Sequence, residues 1–161
     1  MPRKVLIICH ANTSRSIIAE ALLKQLLRDR GLDDRVSVQS GGIAPYARDG
    51  ALVSLDARLV LRDEGIHLPS DSVATDLKTN RHLVADADLI LAMTDEQLRM
   101  LRALFPEAAG KEAYTLKAFA GMSGDIEDPA GQDEAFFAAR RDEIKACLVR
   151  AIDRLSSVVG R

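Results

Sequence analysis

Val5-Leu6-Ile7-Ile8, followed by Cys9-His10-Ala11-Asn12-Thr13-Ser14-Arg15-Ser16, is the stretch that decides the fold. The first four residues form a short apolar run rich in β-branched side chains, the pattern of a strand buried on both faces. From residue 14 to 30 the period changes. Ile18, Ala21, Leu22 and Leu26 fall on one face of a helix, and Gly31 stops it. The alternation then repeats. Residues 35–40 read as a second strand, and Gly41-Gly42-Ile43-Ala44-Pro45 as a loop. Residues 51–64 read as a helix ending at Gly65, and 75–85 as another with Thr75 as its N-cap. Asp88-Leu89-Ile90-Leu91-Ala92-Met93 is a third strand, and Thr94 caps the helix after it. Residues 113–116 form a weaker fourth strand, 121–132 a loop, and 133–158 a long final helix. Strands alternating with helices predict an α/β protein with a parallel sheet and helices on both faces. Ligands of such folds bind beyond the carboxyl ends of the strands, where Cys9 lies.

The 161 residues suit one domain, 1–161, around one core. A formal net charge of -2 leaves no basic excess for a nucleic-acid backbone, and 4% aromatics are too few for a base-stacking platform. No apolar run approaches the ~20 residues of a membrane span, and residues 1–8 are too short for a secretory signal. Cys9 and Cys147 make no disulfide framework, and no Cys/His set has zinc spacing. These features predict a cytoplasmic protein with reduced thiols.

The setting of Cys9 suits a nucleophile. A thiolate needs stabilisation, and a helix N-terminus supplies unpaired N–H groups and partial positive charge. The same amides bind phosphate oxygens. The loop from His10 to Ser14 can curl its amides toward one point, and Arg15 can hold two phosphate oxygens in a bidentate fork. Ser16 places a hydroxyl within reach of the sulfur. Cys-x5-Arg alone matches many unrelated chains, and a lone cysteine is more often a small core residue. The strand before and the helix after give the pattern its meaning.

An acid stands where such chemistry needs one. Asp125-Ile126-Glu127-Asp128-Pro129 precedes the last helix, and a carboxylic acid there can protonate a leaving oxygen. Pro129 restricts Asp128 to extended conformations. Asp125 and Glu127 are like charges, expected to keep a proton within the group.

Together these features resemble the low-molecular-weight protein-tyrosine phosphatase family. Its loop reads Cys-x-Gly-Asn-x-Cys-Arg-Ser-Pro, against Cys9 to Ile17 here, and its late Asp-Pro matches Asp128-Pro129. Ser40-Gly41-Gly42, residues 87–94 and Thr115-Leu116-Lys117 look like further family blocks in the right order. The resemblance implies a four-stranded parallel sheet with the phosphate loop after the first strand. By position it makes Cys9 the nucleophile, Arg15 the phosphate binder, Ser16 the partner of the thiolate, Asn12 the shaper of the loop and Asp128 the general acid. It implies a phosphocysteine intermediate, a phosphorylated protein or small phosphoester as substrate, and no metal or cofactor. Four departures stand out. Ala11 replaces the loop glycine, which predicts a strained turn. Ser14 replaces the second loop cysteine, Ile17 the proline, and Ala130-Gly131 the aromatics that follow Asp-Pro.

Cys147 lies on an apolar stripe with Ile144, Leu148, Ala151 and Leu155 and reads as a buried structural thiol. His10 and Tyr46 could border the substrate or simply face solvent and pack; His67 and His82 take no role. Phosphotyrosine hydrolysis is the first expectation. A phosphoarginine-specific subgroup is resembled at Thr13 and around Leu91-Ala92-Met93-Thr94. Arsenate reduction with external thiols and an inactive phosphate-binding module complete the alternatives.

Overall fold

The computed structural model describes residues 3–159, with side chains to residue 155. Four strands form one parallel sheet in the order β2-β1-β3-β4: β1 Arg3–Cys9, β2 Val36–Gly42, β3 Leu89–Ala92 and β4 Glu112–Thr115. β1 is central, and its side chains alternate between two cores. Val5, Ile7 and Cys9 face one core, while Leu6 and Ile8 face the other. Both faces being apolar explains the unbroken run that the sequence shows.

The first core is covered by α1 (Arg15–Asp29), α2 (Leu55–Arg62), a short α5 (Leu116–Phe119) and the long α6 (Glu134–Val159). The second is covered by α3 (His82–Asp86) and α4 (Asp95–Leu104). Thr94 caps α4 in a reciprocal capping box with Gln97. The sheet and its two layers of helices are the predicted architecture.

Two predicted helices are shorter than expected. Residues 51–54 are outside α2: Leu52 pairs with Val73 in an isolated bridge, and Ser54 is the N-cap. Residues 75–81 are not helical, and Thr75 caps nothing. Their backbone groups are committed elsewhere. The Thr75 N–H donates to Asn12 Oδ1, the Asp76 N–H to Asp49 Oδ1 and the Leu77 N–H to the Gly42 carbonyl. Local helix propensity yields to these long-range partners.

Candidate active site

β1 delivers Cys9 to the sheet's carboxyl edge, where the chain turns sharply into α1. The turn is made at Asn12, whose φ of 61° is the only positive value at a non-glycine position among the described residues. The strain expected at Ala11 is therefore absent there; the left-handed residue is its neighbour. Asparagine tolerates this region because its short side chain can bond locally. Asn12 Nδ2 donates to Ser16 Oγ (2.7 Å) and Ser40 Oγ (2.9 Å), and Oδ1 accepts from the Thr75 N–H (2.9 Å). That last bond fixes which amide atom is oxygen.

From Asn12 to Glu20 the chain of donors has one direction. Ser40 Oγ donates to Glu20 Oε1, so it accepts from Asn12. Ser16 Oγ also accepts from Asn12 and keeps its own proton available to Cys9 Sγ, 2.8 Å away, where either group can be the donor. The Asn12 N–H reaches the same sulfur at 3.2 Å. Both contacts suit a thiolate, which can only accept.

Arg15 opens α1 and is 4% exposed. Its Nη1 donates to the Ile126 carbonyl at 2.7 Å, and its Nη2 lies 3.7 Å from Asp128 Oδ2. The Ile126 N–H in turn donates to the Met93 carbonyl at the end of β3. The acid loop is thus tied to both the sheet and the start of α1. Asp128 is half exposed, and its Oδ1 accepts from the Ala130 N–H at 3.0 Å. The three carboxylates of this loop have separate partners. Asp125 accepts from the Asp95 N–H at the start of α4, Glu127 approaches Arg140 at 3.7 Å, and Asp128 has an arginine as its charged contact.

Tyr46 stands at the rim, 66% exposed, its ring tilted 43° to that of His10 at 6.5 Å. Burial of part of the ring raises its phenol, as do the negative charges of Asp128 and Cys9; Arg15 opposes them. Tyr46 therefore lies within the field of the site. Thr13 is half-buried, and its carbonyl accepts from the Ser54 N–H. Ala130, on the acid side, is exposed and offers no ring.

The structure thus gathers Cys9, Asn12, Arg15, Ser16 and Asp128, with His10 and Thr13 on the same loop. Three features escape the sequence. A Cβ on Gly42 would meet the His10 carbonyl oxygen at 2.7 Å, so only glycine lets β2 pass under the loop that follows Cys9. Glu20 orders the hydrogen-bond chain through Ser40. Lys78 and Asp49 hold the loop that carries Tyr46. The Ser40-Gly41-Gly42 block was the one available signal. A cavity of about 500 Å³ lies behind the loop, lined by Glu20, Lys24, Ser40, His67 and Thr75. Among the described residues no three His, Cys, Asp or Glu side chains converge to hold a metal.

The profile of the family described as low molecular weight phosphotyrosine protein phosphatase matches residues 4–158. The chain belongs to this family. It is 36% identical over 160 residues to a protein-arginine-phosphatase of Geobacillus stearothermophilus, covering 98% of this chain and 99% of the relative. It is 35% identical over 158 residues to the low molecular weight protein-tyrosine phosphatase A of Mycobacterium tuberculosis, covering 96% and 90%. A solved structure of YwlE arginine phosphatase, a cysteine-to-serine mutant with a phosphorylated active-site serine, superposes with a TM-score of 0.86 at 30% identity, covering 95% of each chain. The protein is thus a cysteine-dependent phosphatase with the four-stranded parallel fold of its relatives. In this phosphatase the second thiol, Cys147, is fully buried, and burial pushes its pKa up.

Proposed function

We propose that Cys9 is the nucleophile, Arg15 the phosphate clamp, Ser16 the donor to the sulfur and Asp128 the general acid. The observation that carries this reading is the convergence of Ser16 Oγ and the Asn12 N–H on Cys9 Sγ, beside an arginine whose guanidinium also faces Asp128. The phosphorylated serine in the YwlE mutant supports it from a relative. Phosphate oxygens lie on the amides of residues 10–15 and on the part of the Arg15 fork not bonded to Ile126.

The chemistry runs in two steps. The Cys9 thiolate attacks phosphorus, an S–P bond forms, and the P–O bond to the leaving group breaks. Asp128 gives its proton to the departing oxygen. Water then attacks the phosphocysteine and yields its proton to the Asp128 carboxylate. Inorganic phosphate leaves, and the sulfur departs as a thiolate that the Ser16 hydroxyl stabilises. The whole chain is read as one phosphatase unit, supported by the family match over residues 4–158.

The substrate is a phosphorylated protein side chain. Tyr46 offers a flat wall for phosphotyrosine. A second reading, phosphoarginine, is favoured by Thr13. Its hydroxyl has no hydrogen-bond partner among the described residues, and Ala130 leaves the acid side without a ring. A free hydroxyl suits a guanidinium N–H, a bond worth ~1 kcal/mol net and up to ~3 when charged. The test is Thr13→Ile assayed on both substrates. Phosphoarginine turnover falling by about tenfold, with phosphotyrosine retained, establishes the second reading. Equal effects leave phosphotyrosine as the substrate that the site favours.

A further inference from the structure

The ring of Tyr46 is mostly exposed, so core packing does not place it. Its position must come from the loop backbone, and that backbone is held by charged side chains. Lys78 Nζ donates to the carbonyls of Ala44 (2.5 Å) and Ala47 (3.3 Å), which flank Pro45 and Tyr46, and to Asp76 Oδ1 (2.9 Å). An ammonium has three protons, and all three are used here. On the far side of Tyr46, the Asp49 carboxylate accepts from the Asp76 N–H (2.6 Å), Thr79 Oγ1 (2.9 Å) and Asn80 Nδ2 (3.0 and 3.1 Å). These bonds hold the Asp49 carboxyl below its ordinary range.

Both ties end on residues 76–80, and that segment is itself fixed to the catalytic machinery. Asp76 is 6% exposed, the Leu77 N–H donates to the Gly42 carbonyl, and the adjoining Thr75 N–H donates to Asn12 Oδ1. A continuous set of bonds therefore runs from the residue that shapes the Cys9 loop to the two ends of the loop that carries Tyr46.

We infer that Lys78 and Asp49 are positioning residues for substrate recognition, clamping Tyr46 at a set distance from Cys9. The inference rests on the reading of Tyr46 as a wall for the substrate side chain. Neither residue belongs to the loop of residues 10–15 assigned to phosphate. Loosening the clamp should therefore weaken binding of a phosphorylated side chain while sparing binding of phosphate itself.

The experiment measures KM for a phosphotyrosine peptide and the competitive inhibition constant of inorganic phosphate in Lys78→Met, Tyr46→Ala and the double variant. Thermal melting reports that each one folds. Lys78→Met should raise KM about fivefold, the scale of one aromatic contact, and change the phosphate constant by less than about twofold. Added to Tyr46→Ala, it should raise KM no further, because the wall is already gone. A parallel change in KM and the phosphate constant overturns the clamp, as does additivity of the two substitutions. Should Lys78→Met fail to fold, Asp49→Ala carries the same test. An unchanged KM in Tyr46→Ala overturns the wall reading and the clamp with it. Additivity in the presence of a Tyr46→Ala effect overturns the clamp alone.

Discussion

The two thiols of this phosphatase are both free and both buried, yet they sit in opposite settings. Cys9 is 3% exposed at the end of β1, with the Ser16 hydroxyl and the Asn12 N–H directed at its sulfur. Cys147 is fully buried in α6 among Ile144, Leu148 and Ala151, and its one hydrogen-bond partner among the described residues is the Met122 sulfur at 3.9 Å. Burial without donors penalises the charged form, and it pushes the Cys147 thiol up. Cys9 is buried beside hydrogen-bond donors at the start of a helix, so a charge on its sulfur would have partners. What distinguishes the two is the polar groups around the sulfur; exposure does not.

Substituting each thiol should break the symmetry most strongly. Cys9→Ser should lower turnover by about 10⁵-fold or more, and mass spectrometry should find a phosphoryl group retained on the new serine. Cys147→Ala should keep normal turnover and lose about 1 kcal/mol of stability in denaturant melts. Near-normal activity in Cys9→Ser, or lost turnover in a folded Cys147→Ala, would end the assignment of Cys9 as the sole nucleophile.

The next effect belongs to the acid loop. Asp128→Ala should slow aryl phosphates with basic leaving groups by ~100- to 10,000-fold, and barely slow those with good leaving groups. A series of substituted phenyl phosphates measures this directly. A uniform loss across the series would move the acid role elsewhere, with Glu127 or Asp125 next in line. Their separate partners, Arg140 and the Asp95 N–H, speak against that result.

Much of this contrast was legible in the sequence. The run 5–8, the helix after it and the stripe around Cys147 are local periodicities, and local periodicity reads directly. Cys9, Arg15, Ser16 and Asp128 could be singled out because they stand at set spacings from one strand and two helix starts, and the structure brings Ser16 to Cys9 and Asp128 to Arg15. What stayed hidden depends on partners far along the chain. Residues 75–81 read as helix because their propensity is local, while their hydrogen bonds go to Asn12, Gly42 and Asp49. The strained position was sought at Ala11 by analogy with glycine, but the turn falls on Asn12, whose side-chain bonds hold it. Nothing in the sequence marks Lys78, because its three acceptors, two of them backbone carbonyls, assemble only in three dimensions.

Oxidation should separate the thiols again, though by a smaller margin. Ser14 cannot form a disulfide with Cys9, and Cys147 is sealed in α6. Peroxide should carry Cys9 to sulfinic and sulfonic acids while leaving Cys147 unmodified. The activity lost should not return with dithiothreitol. A Cys9–Cys147 disulfide in peptide mass spectra would refute both placements.

The smallest expected effect is the most local probe of charge. Tyr46 is one of two tyrosines, so Tyr114→Phe leaves its phenol as the only one to titrate by ultraviolet absorbance. Its pKa is raised first by burial, then by the negative charges at Asp128 and Cys9, against the lowering pull of Arg15. Ionising the phenol adds a third negative charge, so removing either of the other two should ease it. Asp128→Asn and Cys9→Ser should each shift the titration downward, and Cys147→Ala should leave it in place. The sign for stability follows. A raised folded value favours the neutral phenol, so the contribution is present below the unfolded pKa and fades as pH rises through the folded one. Tyr46 faces solvent, so added salt should shrink the Asp128 and Cys9 shifts. A Cys9→Ser variant with an unmoved Tyr46 titration would mean that the sulfur carries no charge that Tyr46 senses, and the contrast between the two thiols would lose its electrostatic basis.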